Sequence, residues 1–129
     1  MSEKIEVYDK IVEIPKISRI KIKDYGIIKN AVIDFKEGLN IITGKTASGK
    51  TTVIRYLTEQ FNSKNLPYNE KTVLIDDVLG RLNKEEQIKY LNKLSNKRQV
   101  IITIHDSELD RIKDSIKANI IDTKNFELR

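Results

Sequence analysis

Apolar positions along this chain follow two periods in turn. Over residues 17–23 they alternate, with Ile20 and Ile22 on one face and Arg19, Lys21 and Lys23 on the other. A period of two predicts a half-buried strand. Asp24, Tyr25 and Gly26 then signal a turn. Ala31, Val32, Ile33 and Phe35 predict a second strand, antiparallel to the first. Lys36, Glu37 and Gly38 turn the chain into a short apolar run at 39–43. Residues 1–16 carry Ile5, Val7, Ile11, Val12 and Ile14, a strand-like set ended by Pro15. They read as an edge strand or hairpin.

Beyond residue 51 the period lengthens. Val53, Ile54, Leu57 and Phe61 share one helical face, so a helix is expected to end near Phe61. Residues 62–69 form a polar loop containing Pro67. Residues 72–75 are a buried strand ending in Asp76 and Asp77. Asn83, with Glu86 three residues later, makes a capping-box pattern. It opens a helix with Ile88, Leu91 and Leu94 toward the core. Residues 99–104 are a further core strand with His105 at its carboxyl end. Asp106 is expected to cap another helix, whose buried stripe is Leu109, Ile112 and Ile116. Residues 118–122 and 126–128 read as closing strands. Strands alternating with helices predict an α/β fold with a mainly parallel sheet flanked by helices, preceded by an antiparallel β element.

Between the apolar run at 39–43 and the helix after it stands Gly44-Lys45-Thr46-Ala47-Ser48-Gly49-Lys50-Thr51. This fits G-x-x-x-x-G-K-[ST], the phosphate-binding P-loop, in the strand–loop–helix context the motif needs. Glycines let the backbone turn sharply and approach an anion. The turned amides form an anion-binding nest, and the following helix adds the positive end of its dipole. Residues 44–51 and Thr52 are the expected nucleotide contacts. Lys50 is expected to reach the phosphates, and Thr51 to ligate Mg²⁺. A strand-end acid is the second nucleotide signal. Asp76 is expected at the metal, and Asp77, aimed the other way by strand alternation, at the attacking water. His105 ends a strand at the edge where open α/β sheets bind ligands, and is expected to meet a γ-phosphate. Tyr25 and Tyr68 are candidates to stack on a base, although ordinary packing explains either.

Composition narrows the classes. The 129 residues suit one domain, with an N-terminal β element at 1–36 and a nucleotide-binding core at 37–129. There are no cysteines, which excludes disulfides, thiolate metal sites and cysteine nucleophiles. No apolar run is long enough to span a bilayer, so membrane insertion is not expected. No apolar segment of signal type follows Met1, and a cytoplasmic location is the expectation. The net charge of +5 permits attraction to DNA. Because acidic and basic residues are interspersed, a solvated surface is the simpler reading.

Residues 17–52, together with "VLIDDVLGRLNKEEQIKYLNKL" and "VIITIHDSEL", resemble the SMC/RecF-like branch of the ABC ATPases. The similarity covers roughly residues 17–122, with its motifs in family order. The resemblance implies a P-loop ATPase that takes ATP and Mg²⁺. It makes Asp76 the metal-associated acid, Asp77 the catalytic acid and His105 the switch histidine. It also matches Leu82-Asn83 to the family's Leu-Asp D-loop. The family usually has glutamate at the place of Asp77. It also carries a helical lobe with an L-S-G-G-Q signature, where this chain has only residues 63–71. Gln60 is a poor stand-in for the family's loop glutamine. In the family each site is completed by a partner's signature. The resemblance therefore implies an ATP-dependent homodimer or a heterologous signature-bearing ATPase as partner. Arg81 and Arg98 are available as arginine fingers, but spacing assigns neither.

Two functions remain open on the sequence. One is a miniature ATPase. The other is a nucleotide-dependent binding module that docks on a partner ATPase or DNA with little turnover. A P-loop kinase is a weaker third, since no arginine-rich lid segment is present.

Overall fold

A computed structural model describes residues 12–45, 47–61, 67, 70–76 and 82–129. The readings on Ile5, Val7, Ile11, Thr46, Tyr68, Asp77 and Arg81 lie outside the described residues.

The apolar runs become the central strands of a five-stranded sheet. Its members are β1 (Val12–Pro15), β4 (Leu39–Gly44), β5 (Lys71–Asp76), β6 (Gln99–His105) and β7 (Asn119–Asp122), in the order β1-β5-β6-β4-β7. β5, β6, β4 and β7 are parallel, and β1 is antiparallel at one edge. Every residue of β4 is buried. That suits a parallel strand covered on both faces, for which a continuous apolar run is the expected pattern. The alternating segment becomes β2 (Arg19–Tyr25), which pairs with β3 (Ile28–Asp34) and through it with β8 (Glu127–Leu128) in a second, antiparallel sheet.

Helix α1 (Lys50–Gln60) and the inner face of the antiparallel sheet cover one side of the main sheet. There Ile22, Ile28, Ile33, Val53 and Leu57 pack with Ile42, Leu74 and Ile101. Helices α2 (Lys84–Leu94) and α3 (Asp106–Ile112) close the other side, over Ile41, Val73, Ile75, Val100, Ile102 and Ile104.

Several sequence expectations shift. Residues 12–15 do not join the N-terminal β element. They form the edge of the main sheet, with Val12 opposite Leu74. In exchange β8 joins the antiparallel sheet, because Leu128 pairs with Ile28 while Phe126 is buried in the shared core. The sheets therefore do not follow a division at residues 36/37. The first turn sits at Gly26-Ile27, since Asp24 and Tyr25 continue β2. On α2, Gln87 and Tyr90 are buried with Leu91, whereas Ile88 and Leu94 are half-buried. Helix α3 gives way to a 3₁₀ turn at Lys113–Ser115 before Ile116, which is only half-buried.

Register places the strand ends. Gly44 lies opposite His105, and Asp76 opposite Thr103. The carboxyl ends of β4, β5 and β6 thus share one edge. The amino ends are pinned by buried amides. Gln99 Nε2 donates to the carbonyls of Ile17 and Lys36 at 2.8 and 2.9 Å. Its Oε1 accepts from Ile17 N–H and from the Thr72 hydroxyl. Asn40, fully buried, accepts from Lys36 N–H and Asn119 Nδ2 and donates to Lys36 O and Val100 O. On the outer face of the antiparallel sheet, the hydrogen bond from Arg19 holds the Asp34 carboxyl below its usual range. Both groups are exposed, so the pair adds little.

Gln99→Leu removes this amide and leaves the fully buried Thr72 hydroxyl and the part-buried backbone groups of Ile17 without it. Each orphaned group costs about 1–3 kcal/mol, so urea denaturation is expected to report a loss of at least about 2 kcal/mol. A loss below about 0.5 kcal/mol would show that the staple is dispensable.

Candidate functional site

The loop between β4 and α1 is shaped by contacts that side chains would block. A Cβ on Gly44 would lie 1.9 Å from Thr123 Oγ1 and 2.6 Å from Ser48 Oγ. Gly49 has φ 106°, a backbone state that side-chain-bearing residues rarely adopt, and serves as the N-cap of α1. Ala47 also has positive φ, at 63°, without being glycine. A left-handed L-residue costs roughly 1–2 kcal/mol, so the loop holds strain at its apex. Lys50 is buried, and its Nζ donates to Gly44 O at 2.7 Å, folding back across the loop.

The starts of α1, α2 and α3 differ. Asn83 and Glu86 form the expected capping box of α2, with both bonds at 2.9 Å. Helix α3 is also capped, but by His105 rather than Asp106. Both of these helices have acids in the first turn. Helix α1 has neither a side-chain cap nor an acid in its first turn. The first N–H groups of a helix need an outside partner, and among the described residues no side-chain cap is supplied at Gly49.

Asp76 ends β5 beside this helix start. Its Oδ1 accepts from Thr51 Oγ1 at 3.2 Å and from Thr103 Oγ1 at 2.7 Å. A hydroxyl and a carboxylate are hard oxygen donors, of the kind Mg²⁺ takes. Among the described residues no group of three or more His, Cys, Asp or Glu could form a metal cage.

His105 Nδ1 receives the Ser107 backbone N–H at 3.2 Å and lies 3.0 Å from Ser107 Oγ. A backbone N–H can only donate, so Nδ1 is the acceptor. The neutral ring then carries its proton on Nε2, which makes that nitrogen a donor. Asp106, expected as the cap, instead accepts from Thr43 Oγ1 at 2.6 Å and ties the start of α3 to β4.

A model of the AAA domain matches residues 19–128. The chain belongs to the AAA domain family. Membership relates it to the P-loop ATPases and supports a nucleotide-binding, ATPase-like domain. No curated protein and no solved structure matches the chain. The match runs from the start of β2 into β8, so the antiparallel sheet is part of the AAA domain.

The AAA domain brings Gly44, Gly49, Lys50, Thr51, Asp76 and His105 to one edge. Lys45 and Ala47 are exposed on the loop, Ser48 bonds Thr123, and Thr52 is buried. Other candidates are occupied elsewhere. Arg98 pairs with Glu13 near the start of β6, at the opposite end from His105, so it is no arginine finger for this edge. Asn83 is engaged in its capping box, and Gln60 is exposed at the end of α1. The Tyr25 hydroxyl donates to Glu59, which pushes the phenol above its ordinary value. Arg55 lies 5.6 Å over the Tyr25 ring, and Tyr56 meets it edge-on at 5.2 Å. These contacts favour packing on α1 over base stacking. A separate groove of about 480 Å³ lies at the amino ends of β4 and β7, beside Leu39, Lys117 and Asn119, away from this edge. Thr103, Ser107, Thr43 and Thr123 were missed by sequence reasoning, because no local motif marks them.

Two outcomes test this geometry. Gly44→Ala overpacks the loop and is expected to cost about 1–3 kcal/mol. Adding Thr123→Ala should restore part of that loss, and no recovery would refute the clash. The chain has one histidine. Nitrogen-15 NMR at alkaline pH is expected to show a protonated Nε2 and an unprotonated, hydrogen-bonded Nδ1. The reverse pattern would refute the cap.

Proposed function

We propose that this AAA domain binds ATP with Mg²⁺ as a minimal ATPase of the SMC/RecF-like ABC branch, hydrolysing it slowly in isolation. The observation that carries this reading is the start of α1, which has no side-chain cap among the described residues, beside the buried Lys50. Helix N–H groups and a buried ammonium together make an anion site, and charge-assisted bonds to phosphate are stronger than neutral ones. In this reading the loop 44–51 and Thr52 hold the phosphates, and Lys50 exchanges its bond to Gly44 O for a phosphate oxygen. Thr51 and Asp76 hold the cation, which when bound neutralises charge on the phosphates. His105 offers Nε2–H toward the terminal phosphate. Asp77 is assigned to orient water. The place of β6 between β4 and β5 also supports the ABC-type assignment, since that branch sets its histidine strand between the P-loop strand and the strand that ends in the metal-associated acid.

The chain carries no L-S-G-G-Q segment. We therefore assign a partner, either a second copy in an ATP-dependent homodimer or a heterologous signature-bearing ATPase. Electrostatic groups at developing charge are worth roughly 10²–10³ in rate. A site lacking its partner's groups should turn over well below the ~10 s⁻¹ typical of enzymes. The second reading is a nucleotide-dependent binding module, docking on a partner ATPase or DNA. The missing signature and the aspartate at position 77 favour it. Phosphate release with and without DNA separates the two.

Thermal melts test the common claim. At ligand near 100 times its dissociation constant, MgATP should stabilise the fold by about 2.7 kcal/mol. Lys50→Ala should abolish that response. An unchanged melting temperature of the parent chain at millimolar nucleotide would overturn the reading.

A further inference from the structure

The residues around Asp76 contain a group that neither the P-loop pattern nor the strand-end acid accounts for. Strand β6 reads Gln99, Val100, Ile101, Ile102, Thr103, Ile104, His105. Its interior is apolar except at position 103, where the side chain is fully buried. A buried hydroxyl is costly unless bonded, so its placement in the central strand calls for a partner. On β5 one such partner is Asp76, directly opposite in the ladder, whose Oδ1 accepts at 2.7 Å.

Among the described residues two hydroxyls reach this oxygen, and they differ in kind. Thr51 stands exposed in the first turn of α1, at 3.2 Å. In the proposed function it turns to the cation and ceases to hold the carboxylate. Thr103 stands on a strand flanked by β4 and β5, fully buried. Its branched Cβ restricts rotation of the hydroxyl, and the backbone beneath it is laddered on both sides. Its bond to Asp76 can persist when the bond from Thr51 is given up.

We propose that Thr103 is a positioning residue that holds the Asp76 carboxylate in the orientation needed to receive the metal ion. This inference rests on the reading of Asp76 as the metal-associated acid. Outer partners of metal-associated groups typically change affinity by 10–100-fold when removed. Valine matches threonine in shape and lacks only the hydroxyl, so the effect should appear in metal affinity and not in nucleotide affinity as such.

The experiment measures binding of AMP-PNP by calorimetry, first with a chelator present and then across a Mn²⁺ titration. For Thr103→Val the chelated affinity should stay within about twofold of the parent, while the Mn²⁺ concentration needed for half-effect rises about tenfold or more. Thr103→Ser keeps the hydroxyl and should stay near the parent in both. Thr103→Ala removes the hydroxyl without asking the strand to accept a second methyl. It carries the same expectation as valine, so poor folding of one variant leaves the other decisive. Parent-like Mn²⁺ dependence in the valine or alanine variant overturns the proposal. So does an equal loss with and without metal, which marks a general distortion. If the parent chain binds no AMP-PNP under either condition, the nucleotide reading fails and this proposal fails with it. Binding by the parent with unchanged Mn²⁺ dependence in the variants removes the role of Thr103 alone.

Discussion

The parallel ladder that sets β6 between β4 and β5 is the constraint on which the rest depends. It aligns Gly44 with His105 and Asp76 with Thr103. A slip of one residue would send every side chain of a strand to the opposite face. Asp76 would then leave the face of α1, and His105 would leave the edge of the loop. The register is held far from that edge. Gln99 and Asn40 bind the amino ends of the strands to the turn at 36–38 and to the chain entering β2. Buried amides with several partners specify one alignment more sharply than interchangeable isoleucines can.

Much of this was legible in the sequence, for a local reason. β2 alternates because one of its faces meets solvent, and β4 does not alternate because both of its faces are covered. The capping box of α2 is contained within four residues and was read directly. The phosphate-loop motif is likewise local, and its glycines mark backbone states and close contacts that the structure displays.

What was not legible depends on residues distant in the chain. Asp106 was the natural choice of cap, because aspartate is preferred there and histidine is not. The structure gives its carboxylate to Thr43, 63 residues away, and leaves the cap to His105. Arg98 looked available, yet it pairs with Glu13, 85 residues away. β1 and β8 each join the sheet opposite to the one their position suggests, since strand identity can be read locally and strand pairing cannot. Thr103 and Thr123 look like ordinary threonines until the folded chain sets Asp76 and Ser48 against them.

Residues 119–128 run from the main sheet to the antiparallel one, and on the way they touch the loop between β4 and α1 twice. Thr123 bonds Ser48 across Gly44, and Phe126 lies in van der Waals reach of a Cβ built on Gly49. These contacts span about three-fifths of the chain, so the entropy of closing a long loop is spent before they form. A ribosome delivers the loop early and its buttress late. While synthesis proceeds, the nascent chain carries the motif without its support, and the loop gains its folded surroundings only after residue 126 has left the exit tunnel. The folded form of this loop thus depends on residues 75 positions and more downstream of it, and the motif alone does not carry its own support.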